Sequence, residues 1–296
     1  MKIFSKGFLS ELYKKIIDDD VLGNAAQVAF YFTFALFPLL LFLMSLFGII
    51  LSDKEDLQQE LFTLLGQVMP ASAFDLVKTT LNEVTASAGG GKLTIGILIT
   101  LWSASAGVDT IRNALNGVYN LEERRSWIKA RGTSLLLTLA LGVLILIALA
   151  LVVYGSQLIA MVVPIDIPII LEVLEYLLLL AVLLSAFALL YNFAPNHEPF
   201  EWKWISPGAV IGVVLWIVFS IGFRIYLSYF NTYAATYGSL GAVIILLLWL
   251  YLTALVILIG GAVNAILDEK SGVQKEAHDP EQEADEREGT GKDANT

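Results

Sequence analysis

The chain is 296 residues long, 57% hydrophobic and only 16% charged, too apolar for a water-soluble domain to cover itself with a polar surface. A formal net charge of −10 argues against nucleic-acid binding, because phosphate contacts need clustered Lys and Arg. Cysteine is absent, which removes a disulfide framework, a thiolate metal site and a cysteine nucleophile.

At the N-terminus Phe8, Leu9, Leu12, Tyr13, Ile16 and Ile17 recur at helical spacing beside Lys14 and Lys15. Residues 1–24 therefore read as a cytoplasmic amphipathic segment, either lying on the leaflet or packed on a helical bundle. The first twenty residues do not resemble a cleaved signal, since the apolar run that follows is a full span with no short cleavage-site ending.

Six apolar stretches are each long enough to cross a bilayer, which takes about 20 helical residues. They are placed at Ala25 to Leu51, Leu93 to Leu115, Thr133 to Leu158, Ile169 to Phe193, Pro207 to Phe230 and Gly238 to Leu267. The expected fold class is all-α: a polytopic six-transmembrane-helix bundle over residues 25–267. Residues 52–92 are the single long connection. Leu57, Leu61, Leu64, Leu65 and Val68 share one helical face and Phe74, Val77, Leu81 and Val84 another. This predicts an extracytoplasmic amphipathic helical hairpin, either a cap over the bundle or a plain surface excursion. Residues 268–296 are acidic and nearly free of apolar side chains, so a disordered cytoplasmic tail is expected.

Orientation follows the cations. Lys2, Lys6, Lys14 and Lys15 precede the first span, and Arg124, Arg125, Lys129 and Arg131 crowd the loop between the second and third. The loops at Ala160 to Pro168 and Asn231 to Tyr237 carry none, so both termini are placed on the cytoplasmic side.

Polar residues gather at one level of this bundle: Asn24 and Gln27 open the first span, Asp109, Arg112, Asn113 and Asn116 close the second, Asn192 ends the fourth and Asn264 nears the end of the sixth. Two readings are open, a water-filled cytoplasmic vestibule or a buried hydrogen-bond network between helices. Asp109 and Arg112 stand three residues apart on one helical face, suited to an ion pair or an interfacial anchor. Pro38, in the middle of the first span, is a candidate helix break, which in transporters often marks a binding site. No carboxylate is expected at the midplane.

No metal site is expected, because His197 and His278 lie in separate hydrophilic segments without paired-ligand spacing. No phosphate-binding Gly-rich lysine loop occurs, which argues against intrinsic ATP-driven pumping, and no cofactor is expected.

Further along, the residues carry a family likeness. They are Asp18 to Asp20; Ala29, Phe30, Tyr31 and Leu36, Phe37, Pro38; Ala114, Leu115, Asn116 with Tyr119; Pro195; Pro207, Gly208, Ala209; and Tyr237 to Ala242 with Trp249, Leu250, Tyr251. In these the chain resembles the YihY/BrkB family of bacterial inner-membrane proteins, whose older members were labelled ribonuclease BN. The resemblance covers nearly the whole chain to Asp268 and implies a six-span, inner-membrane bundle, sometimes tied to virulence, with transport often suspected. One departure is that family members commonly carry Gly-Ala-Glu near the end of the sixth span, where this chain has Gly261, Ala262, Val263, Asn264. Coupling of protons or cations through that carboxylate is thereby put in doubt.

The leading expectation is a non-enzymatic, permease-like bundle for a small solute, ion or lipid. Its partners would be the lipid bilayer and that substrate, with a homo-oligomer compatible. The alternative is a non-transport membrane scaffold or envelope factor. Ribonuclease activity fits poorly, because the acidic chain lacks both an RNA-binding surface and metal ligands.

Overall fold

The computed structural model describes residues 5–51, 91–162, 168–197, 202–229 and 239–272. The expected hairpin within 52–92, apart from its last two residues, lies outside them, as do residues 273–296 of the acidic tail and most of both cation-free loops. The tail does not begin at Asp268 as expected: residues 268–271 continue the last helix, where Asp268 is held by Lys203. Every regular element among the described residues is an α-helix. They are α1 (Lys6–Asp18), α2 (Val21–Leu51), α3 (Gly91–Val118), α4 (Trp127–Val162), α5 (Pro168–Phe193), α6 (Pro207–Tyr229) and α7 (Ser239–Ser271).

Local chemistry sets several boundaries. Ser5 caps α1, its Oγ accepting from the Phe8 amide at 3.3 Å. Asp20, in the left-handed region at φ 47°, ends the turn after α1, and its carboxylate accepts from the Gly23 amide at the start of α2. Pro168 and Pro207 open α5 and α6, where a missing N–H costs nothing. α2 continues across Pro38, so that residue removes one intrahelical bond without ending the helix.

Among the described residues, four helical stretches are long and apolar enough to cross a membrane: Trp127–Gly155, Ile169–Phe193, Pro207–Leu227 and Val243–Ser271. They coincide with the third to sixth spans expected from sequence. Their outer surfaces carry exposed Leu136, Val152, Val173, Val218 and Ile221, a hydrocarbon cladding that water does not tolerate at this scale. α2 and α3, over the first two expected spans, are 31 and 28 residues long.

The chain forms two compact units. One comprises residues 27–111 and 126–182; here Gly107 of α3 admits Phe32 and Ala35 of α2, and Gly155 of α4 admits the Glu175 side chain of α5. The other comprises residues 1–26, 112–125 and 183–296. In it α6 packs along α7, and α1 docks on α7 through Phe8, which meets Val263 and Ile266.

Candidate functional site

The second unit holds a buried polar layer at the ends of its helices. Arg112, 6% exposed near the end of α3, donates through Nη1 to Glu123 Oε2 at 2.6 Å. Glu123 lies in the turn that follows α3, where it also accepts from Asn116 Nδ2 at 3.1 Å and from Arg125 through both Nε and Nη2. Arg125 then reaches the end of α5, donating to the Phe193 carbonyl at 3.3 Å and to the Ala194 carbonyl at 2.9 Å. One carboxylate thus joins two guanidiniums and ties the turn after α3 to the C-terminus of α5. Partial burial alone would raise the Glu123 carboxyl, but the hydrogen bonds and charge of Arg125, with the charge of Arg112, hold it below the usual carboxylate range.

Buried asparagines extend the layer. Asn116 Oδ1 accepts from the Asn196 amide at 2.8 Å, and Asn196 Nδ2 donates to the Glu122 carbonyl. Asn192 binds the irregular segment before α6 twice, accepting from the Lys203 amide at 2.8 Å and donating to the Lys203 carbonyl at 2.9 Å. Asn264 of α7 accepts from the Gly208 amide at 2.8 Å and donates to Ser206 Oγ at 2.9 Å, satisfying the N-terminus of α6 from a neighbouring helix. Lys203 pairs with Asp268 at 2.5 Å.

Tyr119 and His197 sit within this layer, their rings edge to face at 4.8 Å. Burial pushes the Tyr119 hydroxyl above the ordinary tyrosine range, against the pull of its hydrogen bond with Asn264. Burial likewise lowers His197, opposed by the charge of Asp268 and a bond to the Tyr191 backbone and assisted by Lys203 and Arg125. His197 is therefore held neutral near pH 7.

Of the eight polar residues singled out from sequence, Arg112, Asn116, Asn192 and Asn264 are buried in this layer. Asn113 is exposed at its edge and accepts from Arg112 Nη2 at 3.1 Å. Asn24, half-buried, donates to the Asp19 carbonyl at the α1–α2 turn. Gln27 and Asp109 belong to the other unit. There Gln27 is exposed, and Asp109 accepts from Ser134 Oγ at 2.8 Å with Arg131 3.8 Å away. Arg131 also lies over the Trp102 ring at 4.4 Å. Sequence reasoning missed Glu123, Arg125, Asn196, Lys203 and Ser206. Arg125 had been counted only as a topology charge, and the one available signal for Glu123 was an acid lodged among the cations of a short loop.

Several of the residues that carried the family likeness meet here: Asn116 with the backbone just past Pro195, Leu115 against Gly261, and Gly208 under Asn264. The sequence profile of the virulence factor BrkB family matches residues 12–286. The chain belongs to the BrkB family. Among its relatives, the putative ribonuclease-like protein YfkH of Bacillus subtilis is 35% identical over 274 residues, 91% of this chain and 98% of that one. A UPF0761 membrane protein of Vibrio campbellii is 28% identical over 286 residues, 90% of this chain and 83% of that one. The UPF0761 membrane protein PSHAa0171 of Pseudoalteromonas translucida is 26% identical over 294 residues, 96% and 92% of the two chains. No solved structure matches this BrkB-family protein. It is a membrane protein, and among its described residues no three of His, Cys, Asp and Glu are grouped as metal ligands would be.

Proposed function

We propose that this BrkB-family protein is a permease-like bundle of six spans with both termini in the cytoplasm, passing a small solute, ion or lipid, and that the buried polar layer is the closed inner end of its pathway. The observation that carries the reading is Arg112: a guanidinium 6% exposed at the end of an apolar helix, matched by a carboxylate from the next turn. Ionisable groups at such positions are costly to keep and mark pathways more often than plain packing. A pair that also grips the end of α5 through Arg125 can hold that end shut and release it when the carboxylate changes partner. The reading is non-enzymatic: a chain of net charge −10 offers little surface for RNA, whatever the name of the Bacillus relative suggests.

One observation favours a scaffold instead. The asparagine amides are spent largely on main-chain groups, at Asn196, Lys203 and Gly208, which is how side chains fix helix ends in place. Two measurements separate the readings. Because the chain has no cysteine, single cysteines at Asn113, Asn116, Asn192 and Asn264 report water access directly. In proteoliposomes, transport predicts solute flux that Arg112→Gln reduces at least tenfold while folded protein is still recovered. Unreactive cysteines at the three buried sites together with no flux for any solute screened would leave the scaffold.

A further inference from the structure

Helix α1 has more apolar surface than its packing uses. Phe8, 2% exposed, and Leu12 dock on Val263, Ile266 and Leu267 of α7. Leu9, Tyr13 and Ile17 recur every fourth residue, forming a second stripe centred about 120° around the helix from the first. They are 51%, 69% and 53% exposed.

We infer that this second stripe is a lipid-facing surface, with α1 lying in the interfacial zone of the leaflet, one side on α7 and the other in the upper acyl chains. Depth supports it, since the α1 dock falls on the last turns of a membrane-spanning stretch, Val243–Ser271. The neighbouring helix supports it as well, since Ile211 of α6 packs on the same Phe8 cluster. In the same unit Trp204 and Ile205, 78% and 66% exposed, stand just ahead of α6, whose Val210 and Val214 are also uncovered. Tryptophan at a span end is a headgroup-level residue. Charge completes the pattern. Lys6 falls on the stripe itself and Lys14 about 100° around from its centre, toward the polar face, both exposed, while Glu11 is engaged by Lys270 and Lys15 is paired with Asp19. The two free-ended lysines are placed to meet headgroup phosphates, as in helices that lie in an anionic interface. A second copy of the chain would compete for the same surface, and dilution in lipid separates the two.

The test uses the cysteine-free chain in proteoliposomes. Tyr13→Cys on the stripe and Asp18→Cys on the polar face each carry an environment-sensitive fluorophore. The Tyr13 label should be quenched at least twofold more than the Asp18 label by nitroxide-bearing phospholipid, and less by aqueous iodide. Phosphatidylglycerol vesicles should strengthen lipid quenching at Tyr13 relative to phosphatidylcholine, and Lys6→Gln with Lys14→Gln should erase that difference. Iodide quenching the two labels equally, or lipid quenching at Tyr13 that is absent at high protein density and appears only when the protein is diluted in lipid, would overturn the assignment, the latter by pointing to a second copy. Ile17→Cys, one turn along the same stripe, gives the same reading should Tyr13→Cys fail to fold. None of these readouts depends on whether the protein transports anything.

Discussion

Replacing Gly208 with alanine is expected to abolish most recoverable folded protein, while the same change at Gly222, two turns short of the end of the same helix, leaves it unchanged. An added Cβ at Gly208 would fall 2.1 Å from the Gly260 carbonyl oxygen and 2.6 Å from the Asn264 side chain. The first neighbour is backbone and cannot rotate away, so α6 and α7 would have to separate. That movement would also stretch the 2.8 Å bond from the Gly208 amide to Asn264, leaving a buried helix N-terminus unsatisfied. Overpacking of this kind costs about 1–3 kcal/mol when side chains can yield, and here they cannot. At Gly222 a Cβ meets nothing within 4 Å. Detergent-solubilised yield and thermal midpoint, measured in parallel for the two variants, check the contrast. Equal behaviour would mean that α6 and α7 do not approach at Gly208.

The helices were legible because a run of about 20 apolar residues has few structural options. Where α4 starts at Trp127, six residues before the apolar run at Thr133, the reason is an interfacial turn of Trp127, Ile128 and Lys129 that a hydrophobicity count discards. The polar layer was legible only as a level. Depth along a helix follows from counting residues, so Arg112, Asn116, Asn192 and Asn264 were found. Their partners were not, because Asn116 meets Asn196 across 80 residues and Asn192 meets an irregular segment that has no periodicity of its own. Asn264 is instructive. In the Gly261–Ala262 register the carboxylate implied by the family likeness falls on Val263, which packs against Phe8, while Asn264 beside it accepts from the Gly208 amide and donates to Ser206 Oγ.

Glu123→Gln should be the most damaging charge change in the protein. It leaves Arg112, whose side chain is 7% exposed, without its anion, and it loosens the fork by which Arg125 holds the two carbonyls at the end of α5. Stripping one partner from a buried ion pair costs about 3–5 kcal/mol. With Glu123 itself 26% exposed, a loss of about 3 kcal/mol is the better expectation. Arg125→Gln should cost less, and the double variant less than the sum, because both changes remove the same Glu123–Arg125 contact. The wild type carries a matching acid signature. Since Glu123 is held below its unfolded value of 4.5, its contribution is fully present above that pH and is lost as pH falls through the folded value. Thermal midpoints of detergent-purified protein between pH 7 and pH 3.5 should therefore fall more steeply for the wild type than for Glu123→Gln. Parallel slopes would mean that the carboxylate is not what joins Arg112 to Arg125, and the lock on α5 would go with it.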